Sequence, residues 1–203
     1  MTVTRSDVER MIDASLGATP APRMDQVEEF VRKTLDYNFA ATLAEPYFIK
    51  PNAEILHAAG KKLCTVISYP LGSMNHESKV AQIKQALADG ADECDIAMDV
   101  SAFKSGHYDK VKEDLKPCVE LMEGRICKLL YFASILTEDE QKRACDMAIE
   151  LGFPMLKTNL ILFKINYTKR GSLYYDQRKN YDPKQEWIAC KTGRRFRGNS
   201  ETV

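Results

Sequence analysis

The stretch Gly152-Phe153-Pro154-Met155-Leu156-Lys157-Thr158-Asn159 is a short apolar run that follows a helical pattern and ends on a lysine. It is too short for a helix and reads as a buried strand. Gly152 comes directly after the helical pattern Asp139 to Leu151, where a left-handed C′ residue is expected. A lysine at the C-terminal tip of a buried parallel strand is poorly hydrated, and poor hydration lowers an amine's pKa. A neutral amine is what imine chemistry requires. The plainer alternative is a strand-end lysine whose ammonium snorkels to solvent.

Working outward, the preceding chain repeats the same unit of helical pattern and apolar run. Met24 to Tyr37 has Val27, Phe30, Val31 and Leu35 on one helical face, and Phe39 to Leu43 follows as a strand. A short helix is expected over Asn52 to Ala59 after Pro51, then a strand over Leu63 to Tyr69. Ser78 to Ala88 and Tyr108 to Met122 read as helices, and Glu93 to Val100 and Ile126 to Phe132 as strands. Thr137-Glu138-Asp139-Glu140 carries the capping-box pattern of a helix start. Val8 to Ile12 leads into Asp13-Ala14-Ser15-Leu16 at the front.

Strand centres near 41, 66, 96, 129 and 155 recur at the pitch of βα units. Continuous apolar strands imply a parallel sheet covered on both faces. That leaves a doubly wound sheet or a (β/α)8 TIM-type barrel. No G-x-G-x-x-G joins the first strand to a helix, which weakens the dinucleotide-binding option. Polar residues gather instead at the C-terminal ends of strands: Asp95, Asp99, Ser134, Lys157 and Thr158. Barrel enzymes build their sites on that face.

Composition excludes other classes. The 203 residues are 44% apolar and 29% charged, as in an ordinary globular domain. The first residues are polar, with no secretion signal expected, and no apolar run has the length of a membrane span. Six scattered cysteines without a C-x-x-C pair read as reduced thiols of a cytoplasmic protein, and His57, His76 and His107 lack metal-ligand spacing. Net charge is zero but uneven. Residues 1–163 hold 19 Lys/Arg against 25 Asp/Glu, and residues 164–203 hold 10 against 4. This divides the chain into a βα portion, 1–159, and a basic segment, 160–203, with a possible strand near 187–191.

Asp95 lies inside an apolar strand and Lys128 inside the next. A carboxylate facing a barrel interior must be paired or protonated. Parallel neighbours would bring Asp95, Lys128 and Lys157 to one interior, where a second cation would depress the Lys157 amine further and Asp95 could carry protons. A purely structural buried ion pair between Asp95 and Lys128 is the competing reading.

These residues fall in segments that resemble deoxyribose-phosphate aldolases. Cys64 to Gly72 is similar to that family's TVIGFPLG segment, Gly90 to Asp95 to its GADE-x-D strand, and Ala102 to Gly106 to its ALKSG. Leu136 to Glu140 resembles its LTDEE helix start, and Leu156-Lys157-Thr158 its Schiff-base strand. The match runs in order from about Ile12 to Asn159. The resemblance implies a TIM barrel that uses no metal and no organic cofactor. The activity it implies is reversible cleavage of 2-deoxy-D-ribose 5-phosphate into acetaldehyde and D-glyceraldehyde 3-phosphate. By position, Lys157 would form the imine and Asp95 would transfer protons with a bound water. Lys128 would belong to the same polar network, and Asp13 with Ser15 would line the site.

Departures from the family pattern bear on the phosphate end. Asn159-Leu160-Ile161-Leu162-Phe163 replaces a run with glycine, and Phe132-Ala133 stands where the family has Glu-Thr. The family's second essential lysine has Lys191 as its one candidate, 34 positions after Lys157, followed by one glycine, Gly193, and two arginines. The family's last phosphate-binding glycines would lie past Val203, so the barrel is expected to lack its last βα unit. A seven-strand barrel leaves an open edge. Residues 160–203 are then a diverged end closed by another subunit, as in a homodimer, or non-family sequence from an altered reading frame, or a basic extension. Tyrosines interleaved with basic residues there superficially suit nucleic acid, but a solvated basic segment is favoured.

The expected activity is a class I aldolase acting on a phosphorylated sugar. Lys157, Asp95 and Lys191 would be catalytic, with Thr158, Gly193 and Arg194 at the phosphate. The rival is a barrel remnant impaired in catalysis that acts by protein association. An aldolase for an unphosphorylated aldehyde is a third reading, motivated by Phe132.

Overall fold

The computed structural model describes residues 3–16 and 21–158, together with the short strands Asn166–Tyr167, Leu173–Tyr174, Ile188–Cys190 and Arg195–Phe196. Six strands form the frame: β1 (Ile12–Ser15), β2 (Ala41–Leu43), β3 (Leu63–Ile67), β4 (Glu93–Ala97), β5 (Cys127–Leu130) and β6 (Met155–Lys157). They run parallel and adjacent in chain order. The sheet curls into part of a TIM barrel with helices on its outer face, the incomplete βα barrel that the sequence implies.

Among the described residues seven helices accompany it: α1 (Arg5–Glu9), α2 (Met24–Thr34), α3 (Ile49–Ala58), α4 (His76–Ala88), α5 (Val100–Lys104), α6 (Tyr108–Leu121) and α7 (Glu138–Leu151). Each crossover helix turns an apolar face to the sheet. Val27 and Val31 of α2, Leu56 of α3, Ile83 of α4, Val111 and Leu115 of α6 and Met147 of α7 join one core with Ile67, Ile96 and Leu129 of the strands. Alternation within each strand points one residue set at those helices and the other into the barrel.

Several boundaries differ from the sequence expectation, each for a local reason. The third helix starts at Ile49, before Pro51, because proline is tolerated in a first turn where its missing N–H has no partner to lose. The fourth strand ends at Ala97, and Asp99 caps α5 by accepting a hydrogen bond from the Ala102 amide at 2.9 Å. The fifth strand stops at Leu130, and Phe132 takes a left-handed conformation (φ 54°) before a 3-10 turn over Ala133–Ile135. The Thr137 capping box forms as expected, and Gly152 is left-handed at the end of α7.

Gly72, in the turn after β3, is also left-handed, and a Cβ there would overlap the Met98 carbonyl. Only glycine lets this loop pack against the end of β4. The strand expected near 187–191 appears as Ile188–Cys190 but pairs antiparallel with β1, so it does not continue the parallel series. Lys191, Gly193, Arg194 and Asn159 lie outside the described residues. Among the described residues no helix is long and apolar enough to cross a membrane.

Candidate active site

Strand register places the charged residues in layers. Asp95 is level with Lys128, and Lys128 with Met155. Lys157 pairs with Leu130, one inward-facing layer nearer the C-terminal ends. Glu93 precedes Asp95 by two residues on β4, one layer nearer the N-terminal ends. Glu93, Asp95 and Lys128 are all buried.

The side chains interlock. Lys128 Nζ donates to Glu93 Oε2 at 2.8 Å and to Asp95 Oδ1 at 3.1 Å. It also lies 3.4 Å from Asp13 Oδ2, a contact across the barrel from β5 to β1. Lys157 Nζ donates to the other Asp95 oxygen, Oδ2. Cys64, inward-facing on β3, has its Sγ 3.4 Å from both Asp95 Oδ1 and Lys128 Nζ. The two oxygens of Asp95 are thus divided: one is fixed by Lys128 and Cys64, and the other faces Lys157.

These contacts decide the protonation states. Burial alone would lower the Lys157 pKa, but the Asp95 carboxylate reverses this and holds it above the ordinary lysine value. The sequence expectation of a depressed amine is therefore corrected for the unliganded state. The strand-end burial is there, but the strongest neighbour is an anion, and Lys128's charge is already engaged by carboxylates. Burial would raise Asp95, yet Lys157 and Lys128 hold its pKa below the usual carboxylate value. For Lys128, burial opposes the charge, while the carboxylates of Asp95, Asp13 and Glu93 raise its pKa. The Cys64 thiol is pushed well up, by burial first and then by Asp95, so it is no nucleophile at neutral pH.

Of the residues expected at the site, Asp13, Asp95, Lys128 and Lys157 are brought into one cluster. Ser15 is one layer further along β1 and half-buried. Thr158 follows Lys157, and its carbonyl accepts from the Ala133 amide at 2.7 Å. Asp99 serves as a helix cap, and Ser134 sits in the turn after β5. Sequence reasoning missed Glu93 and Cys64 as members. The available signal for Glu93 was its i, i+2 spacing to Asp95, which puts both on one strand face. Among the described residues no group of His, Cys, Asp and Glu side chains is arranged to hold a metal ion.

A lysine paired with a carboxylate at the C-terminal end of a barrel strand can pass its proton to that carboxylate and attack a carbonyl. The chain is 35% identical over 140 residues to a deoxyribose-phosphate aldolase of Streptococcus suis, covering 69% of this chain and 64% of the relative. To one from Streptococcus mutans it is 33% identical over 152 residues, covering 75% of this chain and 69% of the relative. The chain thus spans about two thirds of the length of these curated relatives. Among solved structures, an aldolase designated QR15 superposes with a TM-score of 0.73 at 34% identity, covering 80% of this chain and 72% of that one. No protein-family model matches the chain.

Proposed function

The chain belongs to the deoxyribose-phosphate aldolase family, and from that premise we propose that it cleaves 2-deoxy-D-ribose 5-phosphate through an imine on Lys157. The observation that carries this reading is the pairing of Lys157 with Asp95 Oδ2 while Asp95 Oδ1 is held by Lys128. In the proposed reaction the Lys157 ammonium gives a proton to Asp95, and the free amine adds to the substrate aldehyde at C1. Asp95 returns that proton to the departing hydroxyl, and loss of water leaves a protonated imine beside the Asp95 carboxylate. Asp95, through a water, takes the C3 hydroxyl proton as the C2–C3 bond breaks. The bonding electrons move onto C2 to form the enamine, and D-glyceraldehyde 3-phosphate leaves with C3 as its aldehyde. Proton return to C2 and hydrolysis release acetaldehyde and the lysine. Lys191 is assigned a second proton-transfer role. Thr158, Gly193 and Arg194 are assigned to the substrate phosphate.

The test is borohydride reduction in the presence of acetaldehyde or deoxyribose 5-phosphate, read by peptide mass. A reduced adduct on Lys157, absent in Lys157→Ala, is expected. A folded protein that forms no adduct would overturn the catalytic reading and leave an impaired barrel. Phosphorylated and unphosphorylated deoxyribose cleaved at equal rates would overturn the phosphate assignment.

A further inference from the structure

Glu93 belongs to the interior cluster but has no part in the proton transfers above. It extends that reading and rests on it. Four side chains on β4, β5 and β6 alternate in sign: Glu93, Lys128, Asp95, Lys157. Lys128 is level with Asp95, so its flexible stem can carry the ammonium toward either end of the barrel. Its shortest contact, 2.8 Å, is to Glu93 Oε2, one layer toward the N-terminal ends and away from the Lys157 layer.

We propose that Glu93 is a positioning residue that draws Lys128 to the N-terminal side of the interior and thereby leaves Asp95 Oδ2 to Lys157. Without that anchor, Lys128 turns wholly to Asp95 and competes with Lys157 for its carboxylate. The Lys157 ammonium then loses both part of its partner and one nearby negative charge, and both losses act in the same direction: they free the amine at lower pH.

The groups facing this column come from each packed element. Asp13 on β1 lies 3.4 Å from Lys128 Nζ. Cys64 on β3 contacts Lys128 and Asp95. Lys62, just before β3, reaches to 3.7 Å from Glu93 Oε1, with its side chain 54% exposed. Glu93 is thus shared between one buried ammonium and one solvated ammonium. That arrangement gives a second, surface handle on the same residue.

The experiment follows the pH midpoint of borohydride trapping with acetaldehyde on the full chain. In Glu93→Gln the midpoint is expected to move toward acid by about one pH unit, the effect of removing one charge across a few side-chain lengths in a partly screened interior. Glu93→Asp, which keeps the charge, is expected to restore the midpoint toward that of the unmodified chain. Lys62→Met releases Glu93 wholly to Lys128 and is expected to move the midpoint a few tenths of a unit toward alkali, a small shift because the Lys62 ammonium is solvated. A folded Glu93→Gln with an unchanged midpoint overturns the proposal. If that variant does not fold, an unmoved midpoint in Lys62→Met overturns it. No adduct on the unmodified chain at any pH overturns the imine reading as well, whereas an adduct with unmoved midpoints overturns this inference alone.

Discussion

At the scale of single residues, the site shows that burial does not by itself say whether an amine is charged. Lys157 sits where desolvation should neutralise it, yet Asp95 keeps it an ammonium. The two shifts have opposite consequences for stability. The Lys157 pKa is raised on folding, so its contribution is full below the unfolded lysine value and is lost as pH rises through the raised one. The Asp95 pKa is lowered, so its contribution is present above about pH 4, the ordinary carboxylate value, and is lost as pH falls. Asp95→Asn is therefore expected to flatten the fall in stability below about pH 4 relative to the unmodified chain. Urea midpoints measured across pH check this, and parallel curves for the two proteins would contradict it. Lys157, Asp95 and Lys128 were legible in the sequence because charged residues in apolar strands stand out. Glu93 was not, because a glutamate at a strand's first position looks like a solvated end until its pairing with Lys128 is seen.

At the scale of elements, the strands that carry continuous apolar runs were readable, since β3 and β5 are bounded by turn residues and buried throughout. Two short helices were not. The first, α1, buries none of its residues and so has no apolar stripe to betray it. The fifth, α5, follows β4 so closely that Val100 continues the apolar run, and only the Asp99 cap separates the two. The glycines allow a graded test of how turns hold these elements. Gly152 is left-handed with open space around its missing Cβ, so Gly152→Ala is expected to cost only the conformational strain, about 1 kcal/mol. At Gly72 the added carbon would meet the backbone of Ala97 and Met98, so Gly72→Ala should cost clearly more. Urea unfolding of the two variants decides the order, and equal costs would mean the loop after β3 yields freely.

At the scale of the whole molecule, protection from exchange should follow the layering. The amides of β3 and β4 lie between other strands of the sheet and beneath the helical layer, so they are expected to exchange only through global unfolding. The amides of α1, which covers no core, should exchange much faster. Native-state hydrogen exchange resolved by residue checks this, and comparable protection in α1 and β4 would show that the N-terminal turn is more firmly attached than its packing indicates.

The alternating column has one more consequence for the proposed reaction. An imine on Lys157 is productive when protonated, and a protonated imine carries the same single positive charge, at nearly the same place, as the resting ammonium. The interior that raises the lysine's proton affinity is therefore already arranged around the intermediate's charge, before any substrate has entered. Its carboxylates need not reorganise when the carbon–nitrogen bond forms. The disfavoured species is the neutral amine that comes between the two cations. Turnover at neutral pH would then be set by how rarely that amine appears, and later steps that keep the cation would proceed in surroundings already matched to it.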